Sequence, residues 1–363
     1  GGVKMNDAIF SQIDFGPLKE FLDDDNITEI SYSNDGRIHL KSLDRGVYLV
    51  QREDINNSLV EKLAFQCASV MGKTFNMAHP VLIAEAPELS LNFVHNSVSV
   101  NGIACTIKKV PAKMRLNRET IINEKYLGKE LLELLLNCVH AHTNIIVCGK
   151  ATSGRTELVK YLASHINETE KIITVEDTLE LHLGKIFPNR DIVSMKTNTM
   201  VDFSEILDAA MLQNPNWILL SEVHNDEEAN GLRKLMNSGN SIMTTIESER
   251  AETVPLRLYN LLETKYDHEQ FLSSIYHNIQ LAIHVRTYMS EVTNKIQREI
   301  DEICEFYVDE NNNRGSNVIY RRVDGKITIN NPSKYLREYL ASEGVIIKED
   351  LFIKVDDTNV DTL

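Results

Sequence analysis

The first third of the chain alternates between short strand-like and helix-like stretches. Residues 28–32 alternate polar and apolar positions in the manner of a strand, and the Asn34-Asp35-Gly36 triplet is typical of a hairpin turn. Between residues 58 and 71 apolar side chains recur at near-helical spacing, which predicts an amphipathic helix. An acidic, helix-like stretch comes before them, at residues 17–25. We therefore predict a small α+β domain over residues 1–107.

The pattern then changes to that of an α/β domain. Residues 108–119 are rich in Lys and Arg and poor in large apolar side chains, which predicts a linker, and we place it at residues 108–125. A long apolar helix is predicted at 127–141 and a buried strand at 144–148, and later alternating segments predict further strands of the same sheet. We place this domain at residues 126–330.

A C-terminal helical extension is predicted over residues 331–363. Its helix begins beyond Pro332-Ser333 and carries an apolar stripe, which consists of Tyr335, Leu336, Tyr339 and Leu340. Such a stripe is compatible with a docking surface for a partner and with ordinary packing against the core.

A glycine-containing loop follows the strand that ends at Cys148. Residues 149–156 fit the spacing G-x-x-x-x-G-K-[ST], except that Arg155 stands at the Lys position. Strand, loop and helix in this order are the context in which a phosphate-binding loop works, because the unpaired amides at the helix start point toward an anion. Since the specificity of the motif rests largely on its Lys, the loop alone is also compatible with a plain strand-to-helix turn.

Composition excludes several classes of partner and site. The net charge of −15 opposes the phosphate neutralisation that nucleic-acid binding requires, so we expect no nucleic acid. The sequence contains no run of 18 apolar residues, which is the length that a helix needs to span a bilayer. Five widely spaced cysteines without a CxxC pair indicate neither zinc nor redox chemistry and fit a reducing compartment. We expect a cytoplasmic protein that reaches the plasma membrane only through partners.

Three segments downstream of the loop resemble the sequence boxes of one family. Residues 173–181 resemble the acidic box of the type II and type IV secretion ATPases, residues 211–223 their Walker B strand, and residues 235–247 their Thr-Gly-His and Thr-Thr-x-His stretch. Upstream, short segments near Gly16, Ile27 and Val100 resemble the domain before the motor in the Flp, or tight-adherence (Tad), pilus assembly ATPases. The resemblance covers roughly residues 13 to 310. It implies an α/β fold, a RecA-like P-loop NTPase domain preceded by a smaller α+β domain.

The resemblance also implies roles for particular residues, with ATP and Mg²⁺ as cofactors. Glu222 would orient or deprotonate water as the catalytic carboxylate, and Glu176 of the acidic box would assist it. Thr156 and Asp177 would contact the metal. The nucleotide would be bound by Gly149, Ser153, Gly154, Arg155 and Thr156. Read from the residues alone, Glu222 is also compatible with a solvated strand end, and the Glu176-Asp177 pair with a cap on the following segment.

Several positions that handle charge depart from the family pattern. At position 155 a broad, forked guanidinium stands where the family has the compact ammonium of a lysine. Thr152 stands where Gly is usual, and a threonine there is costly if the backbone needs positive φ. Glu247 replaces His and brings an anion beside the triphosphate site, and His224 stands where Arg is frequent. Arg115 and Arg118 in the linker would replace the missing phosphate-contacting cations, or their side chains would simply be solvated.

Two hypotheses follow from these departures. The first is a slow or conditional ATPase that drives pilus or secretion-system assembly. It would dock on an inner-membrane platform protein and act as a homo-oligomer, with a hexamer expected, or in a mixed ring with a paralogue. The second is a catalytically silent pseudo-ATPase that serves the same machinery as a structural or regulatory subunit.

Overall fold

The computed structural model describes residues 10–198, 200–263 and 267–352, which divide into two compact units. Residues up to 112, together with 288–297, form the first unit, and residues 113–287 with those from 298 onward form the second. The strands are β1 (Ile27–Tyr32), β2 (Ile38–Ser42), β3 (Gly46–Val50), β4 (Val81–Ala86), β5 (Leu89–Val94), β6 (Ala104–Lys109), β7 (Ile145–Cys148), β8 (Ile172–Glu176), β9 (Ile192–Lys196), β10 (Trp217–Val223), β11 (Ser241–Ile246), β12 (Leu281–Met289), β13 (Ile296–Val308), β14 (Arg314–Val323) and β15 (Lys326–Ile329).

The helices follow the same order along the chain. They are α1 (Lys19–Asp23), α2 (Asn57–Met71), α3 (Arg118–Asn123), α4 (Lys129–His140), α5 (Arg155–Ser164), α6 (Leu183–Ile186), α7 (Phe203–Leu212), α8 (Asp226–Met236), α9 (Val254–Leu261), α10 (His268–Asn278) and α11 (Lys334–Ser342). None of the described helices is long and apolar enough to cross a membrane.

The first unit is an antiparallel sheet with a long helix. Six strands of its described part pair in the order β3-β2-β1-β6-β5-β4. Helix α2 begins where the Asn56 side chain accepts a hydrogen bond from the Leu59 amide, and it ends at Gly72, whose φ is +61°. The predicted turn is confirmed, because β1 and β2 pair antiparallel around Gly36 at φ +84°.

The second unit has a sheet with helices on both faces. Nine strands of its described part follow the order β15-β14-β13-β12-β7-β11-β10-β8-β9, in which β12 through β9 are parallel neighbours. Successive residues of β7 contribute to opposite cores: Ile145 and Val147 to one, Ile146 and Cys148 to the other. A strand buried on both faces explains the continuous apolar run in the sequence. The later strands predicted for this sheet are confirmed as β12 and β13.

The basic segment 108–125 has more structure than its composition indicated. The division between the units falls after Ala112, inside the basic segment 108–125, but this segment also contains the end of β6 and the whole of α3. Asn117 and Thr120 form a reciprocal capping box that begins α3, and Ile121 is buried. Polar caps and two adjacent isoleucines, Ile121 and Ile122, which pack on the core, therefore form a helix that hydrophobic periodicity could not indicate.

Helix α11 packs on the second unit. Leu336 and Leu340 are buried in the same core as α4, and the Tyr339 hydroxyl donates a hydrogen bond to the main-chain oxygen of His142 at 3.0 Å. Of the two readings of its apolar stripe, packing is the one these contacts support. Residues 353–363 of the predicted extension lie outside the described residues.

The five cysteines are buried in the hydrophobic cores of the two units and form no disulfide. Burial raises the pKa of the Cys67 thiol to about 12 and raises the pKa of each of the other four above its ordinary value. Thiols in such surroundings behave as small apolar side chains.

Candidate nucleotide site

The loop between β7 and α5 depends on two glycines for its shape. Gly149 has φ +151°, and a Cβ there would lie 2.4 Å from the main-chain oxygen of Val285 on the neighbouring strand β12. Gly154 has φ +96° and immediately precedes α5. Within the loop the Ser153 amide donates to the Lys150 carbonyl at 3.2 Å. Both glycines of the motif are therefore required by backbone geometry.

The interior of the loop fits an anion. Ser153 is 2% exposed, and its buried Oγ has no hydrogen-bond partner among the described residues. A buried hydroxyl without a partner is costly, and a phosphate oxygen would supply the missing acceptor. The first amides of α5 have no intrahelical acceptors and carry the positive end of the helix dipole. The residues present therefore suit the phosphates of a nucleotide.

Thr152 takes the left-handed conformation that the family pattern assigns to glycine. Its φ is +66°, a region that β-branched residues rarely adopt. The sequence analysis predicted that Thr152 would be costly if the backbone needed positive φ here. The loop does have positive φ at this position, so that condition is met. The strain is about 1–3 kcal/mol by analogy with other left-handed non-glycine residues.

Arg155 is ion-paired with Glu222, the carboxylate that is predicted to act on water. Its Nη1 donates to Oε1 of Glu222 at 2.8 Å, and the arginine side chain is only 8% exposed against 36% for the glutamate. Arg155 begins α5, which follows β7, whereas Glu222 lies near the end of β10. Strand β11 separates β7 from β10, so the two residues reach the carboxyl edge of the sheet from non-adjacent strand ends and meet there. The motif's only substituted position is thus joined directly to the residue predicted to act on water.

The remaining predicted residues lie around this pair with different surroundings. Thr156 donates its hydroxyl to Oε2 of Glu180 at 3.3 Å. Glu176 is buried at the end of β8, where its Oε1 accepts from the amides of Glu180 and Leu181, each at 3.0 Å. Burial raises the pKa of Glu176 to about 7 although those two amides favour the charged form. Glu176 thus caps the segment after β8.

Asp177 is exposed next to Glu176, and its Oδ1 accepts from the Thr178 amide at 2.7 Å. The charge of Asp177 also reaches Glu228 on α8, whose pKa is raised mainly by burial and further by Asp177. His224 contacts the same Glu228 with its ring Nδ1 at 3.0 Å. Among the described residues no group of three or more His, Cys, Asp or Glu side chains is arranged to hold a metal. The assignment of Mg²⁺ to Thr156 and Asp177 stays a prediction.

Glu247 lies in a cleft at the outer side of the loop. It is exposed at the end of β11, and its main-chain oxygen accepts from Nε of Arg257 at 3.1 Å. Lys150 and Arg257 line the same cleft of about 550 Å³ together with Glu247 and Glu249. The anion that replaces the family's His therefore has two cations in its own cleft.

One residue at the loop was missed by sequence reasoning. Arg298 on β13 lies over Gly154: a Cβ on that glycine would be 3.5 Å from Cδ of Arg298 and 3.9 Å from its Nε. The charge of Arg115, from the basic segment, reaches Arg298. Arg118, by contrast, is ion-paired with Glu133 on α4. No local motif surrounds Arg298, and only the pairing of β13 in the sheet brings it to the loop.

The chain is similar to several known proteins. An uncharacterized protein of Bacillus anthracis is 24% identical over 283 residues, which are 77% of this chain and 64% of that protein. The type IV secretion system protein VirB11 of Bartonella henselae is 24% identical over 276 residues, 65% of this chain and 76% of its own length. The structure of the Legionella pneumophila ATPase DotB superposes with a TM-score of 0.61, at 14% identity, and covers 86% of this chain and 84% of DotB.

These similarities establish fold and family. The predicted architecture, a RecA-like α/β domain preceded by a smaller α+β domain, is confirmed by the fold of DotB. The match spans less than two thirds of the Bacillus anthracis relative. The model of the type II/IV secretion system protein family matches residues 93–338, more than half of the chain. The chain belongs to the type II/IV secretion system protein family.

Proposed function

We propose that this chain is a nucleotide-binding family member whose hydrolysis of ATP is slow or conditional, and that it serves the assembly of a pilus or secretion machine. The Arg155–Glu222 ion pair carries the proposal. It retains a cation at the motif's charged position, but it engages one oxygen of the carboxylate that would act on water. Binding is thereby favoured over turnover.

The ion pair is compatible with a bound phosphate. A guanidinium has five donors, and Nη1 alone contacts Glu222, so others remain for a phosphate oxygen. Gly149, Ser153 and Gly154 would form the cradle. Thr156 and Asp177 would hold Mg²⁺, which supplies charge neutralisation at the phosphates when bound. Glu222 would orient water once Arg155 releases it, and Glu176 would keep the segment after β8 in place.

The finer assignments belong to the same proposal. The N-terminal segments resemble those of the Flp/Tad pilus assembly ATPases, and we assign the chain to that branch. We further propose a cytoplasmic ring, a homohexamer or a mixed ring with a paralogue, bound to an inner-membrane platform protein. The nucleotide-binding motifs of this chain would have diverged because selection favoured nucleotide binding over rapid hydrolysis.

A silent subunit is the second candidate, and the strained Thr152 favours it. A loop that stores strain and lacks its Lys could have lost nucleotide altogether. In that case the fold would be retained for its surfaces, as a structural or regulatory part of the same machine. The Flp/Tad assignment and the ring are common to both candidates, so nucleotide binding is what separates them.

Equilibrium binding of a fluorescent ATP analogue with Mg²⁺ tests the proposal. The native chain should bind at micromolar concentration, Arg155→Lys should bind and hydrolyse faster, and Glu222→Gln should bind without hydrolysis. Trp217 is the only tryptophan and is buried in β10, so its fluorescence reports whether each variant is folded. A folded native chain without saturable binding up to millimolar nucleotide would refute the proposal and leave the silent subunit.

A further inference from the structure

Arg298 on β13 lies next to Gly154, at the N-terminal end of α5, where the phosphates of a nucleotide would lie. Its Cδ and Nε are within 4 Å of the position that a Cβ on Gly154 would take. Strand β12, next to β13, is itself tied to the loop, because Thr287 Oγ1 donates to the Ser153 carbonyl at 3.3 Å. A sheet strand, and not a flexible surface segment, therefore positions this guanidinium.

The surroundings of Arg298 favour an anion. Burial lowers its pKa, and the nearby positive charge of Arg115 lowers it further, while Tyr126 and Glu157 act in the opposite direction. Arg298 and Arg115 thus place two positive charges near each other beside the loop, and the positive potential that they create attracts an anion.

The buried hydroxyl of Ser153 is the second, independent indication of a ligand. It lies in the loop residue that precedes Gly154, and it has no partner among the described residues. Arg155, the residue at the motif's charged position, is turned to Glu222. A phosphate at the start of α5 would thus meet the Ser153 hydroxyl, the helix amides and Arg298.

We propose that Arg298 binds the phosphates of a nucleoside di- or triphosphate beside Gly154 and takes over part of the role that the motif's lysine has elsewhere. This inference rests on the proposed nucleotide binding. The inference goes beyond that proposal because it assigns a phosphate-binding cation to β13, a strand that carries none of the recognised motifs. The ligand class follows from the geometry: a guanidinium fork and backbone amides together match phosphate oxygens.

Titration of N-methylanthraniloyl-ADP against the native chain, Arg298→Gln, Arg298→Lys and Arg314→Gln tests the inference. Arg314, on the adjacent strand β14, is ion-paired with Glu269 and serves as the matched control. Arg298→Gln should weaken binding ~10- to 100-fold, the range for loss of a charge-assisted hydrogen bond. Arg298→Lys should recover part of the affinity, and Arg314→Gln should bind like the native chain.

The salt dependence separates a phosphate contact from a structural role. Loss of a contact between charges should reduce the dependence of the dissociation constant on salt concentration in Arg298→Gln, whereas a merely deformed site would keep it. Equal affinity of the native chain and Arg298→Gln would overturn the inference while leaving nucleotide binding intact. Should Arg298→Gln fail to fold, as judged by Trp217 fluorescence, Arg298→Lys decides by affinity alone, because lysine keeps the charge. Weaker binding than that of the native chain supports the inference, and native affinity overturns it.

A native chain that binds no nucleotide would refute the proposed function separately. Inorganic tripolyphosphate then tests Arg298 directly, because it presents the phosphates without a nucleoside. Tripolyphosphate should raise the unfolding temperature of the native chain and of Arg314→Gln but not that of Arg298→Gln. Absence of any rise in the native chain, or an equal rise in Arg298→Gln, would overturn the inference.

Discussion

The Arg155–Glu222 ion pair should couple the two residues measurably, and a double-mutant cycle would show it. The variants are Arg155→Met, Glu222→Gln and the double substitution. Removing the charge of Glu222 leaves a guanidinium that is 92% buried beside a neutral amide, while Met replaces the arginine by an apolar chain of comparable length. We therefore expect Glu222→Gln alone to be more destabilising than Glu222→Gln added to Arg155→Met.

The structure sets the magnitude between two known limits. Exposed ion pairs contribute about 0.2–1 kcal/mol, and breaking a fully buried pair costs about 3–5 kcal/mol. Arg155 is buried but Glu222 is 36% exposed, so water screens one side of the contact. A coupling free energy of about 1–2 kcal/mol is expected.

Urea unfolding followed by the fluorescence of Trp217 is the appropriate assay. This residue lies on β10, the strand that also carries Glu222, so the signal reports the unit in which the pair lies. The cycle is valid where the urea dependence of the unfolding free energy is the same in all four proteins. A coupling below about 0.5 kcal/mol would show that the contact contributes nothing to folding, and the argument that it restrains Glu222 would fail.

Two further predictions concern Glu176 and Thr152. The pKa of Glu176 is raised from 4.5 to about 7, so its protonated form favours the folded state, and this stability is lost as pH rises from about 4.5 through 7. Plots of unfolding free energy against pH should therefore fall less steeply over that range in Glu176→Gln, whose amide oxygen can still accept both hydrogen bonds; equal slopes would contradict the buried carboxyl. Thr152→Gly should stabilise the chain by about 0.5–1 kcal/mol, because relief of strain at φ +66° exceeds the entropy that glycine adds to the unfolded chain. Thr152→Ala, which keeps a Cβ, is the control for urea unfolding, and an equal gain there would exclude backbone strain as the cause.

Many strands and turns could be predicted because their signals are local, whereas the RecA-like arrangement was implied by the family resemblance. Buried strands such as β7 appear as continuous apolar runs, and the hairpin turn at Gly36 and the phosphate loop have their own residue patterns. Helix α3 lacked such a signal, because it depends on a capping box and on the adjacent Ile121 and Ile122, which pack on the core. Periodicity arguments fail for elements this short.

The site was predictable in its members but not in their contacts. The spacing of the motif identifies Arg155, yet nothing in the sequence specifies that its guanidinium reaches Glu222, 67 residues away. Arg298 was missed for a related reason. Its position depends on how β13 pairs in the sheet, and the residues around Arg298 in the sequence do not indicate that pairing. The strain at Thr152 could be anticipated, because the glycine that the pattern expects there has a conformational cause.

The burial of the five cysteines makes the folded chain almost inert toward thiol reagents. Since only thiolates react at useful rates, raised pKa values and lack of access protect every native cysteine at neutral pH. A cysteine introduced at the exposed Lys150 would then be the one thiol available for a fluorescent label. Occupancy of the loop could be followed optically in the otherwise native chain, without first removing any of its own cysteines.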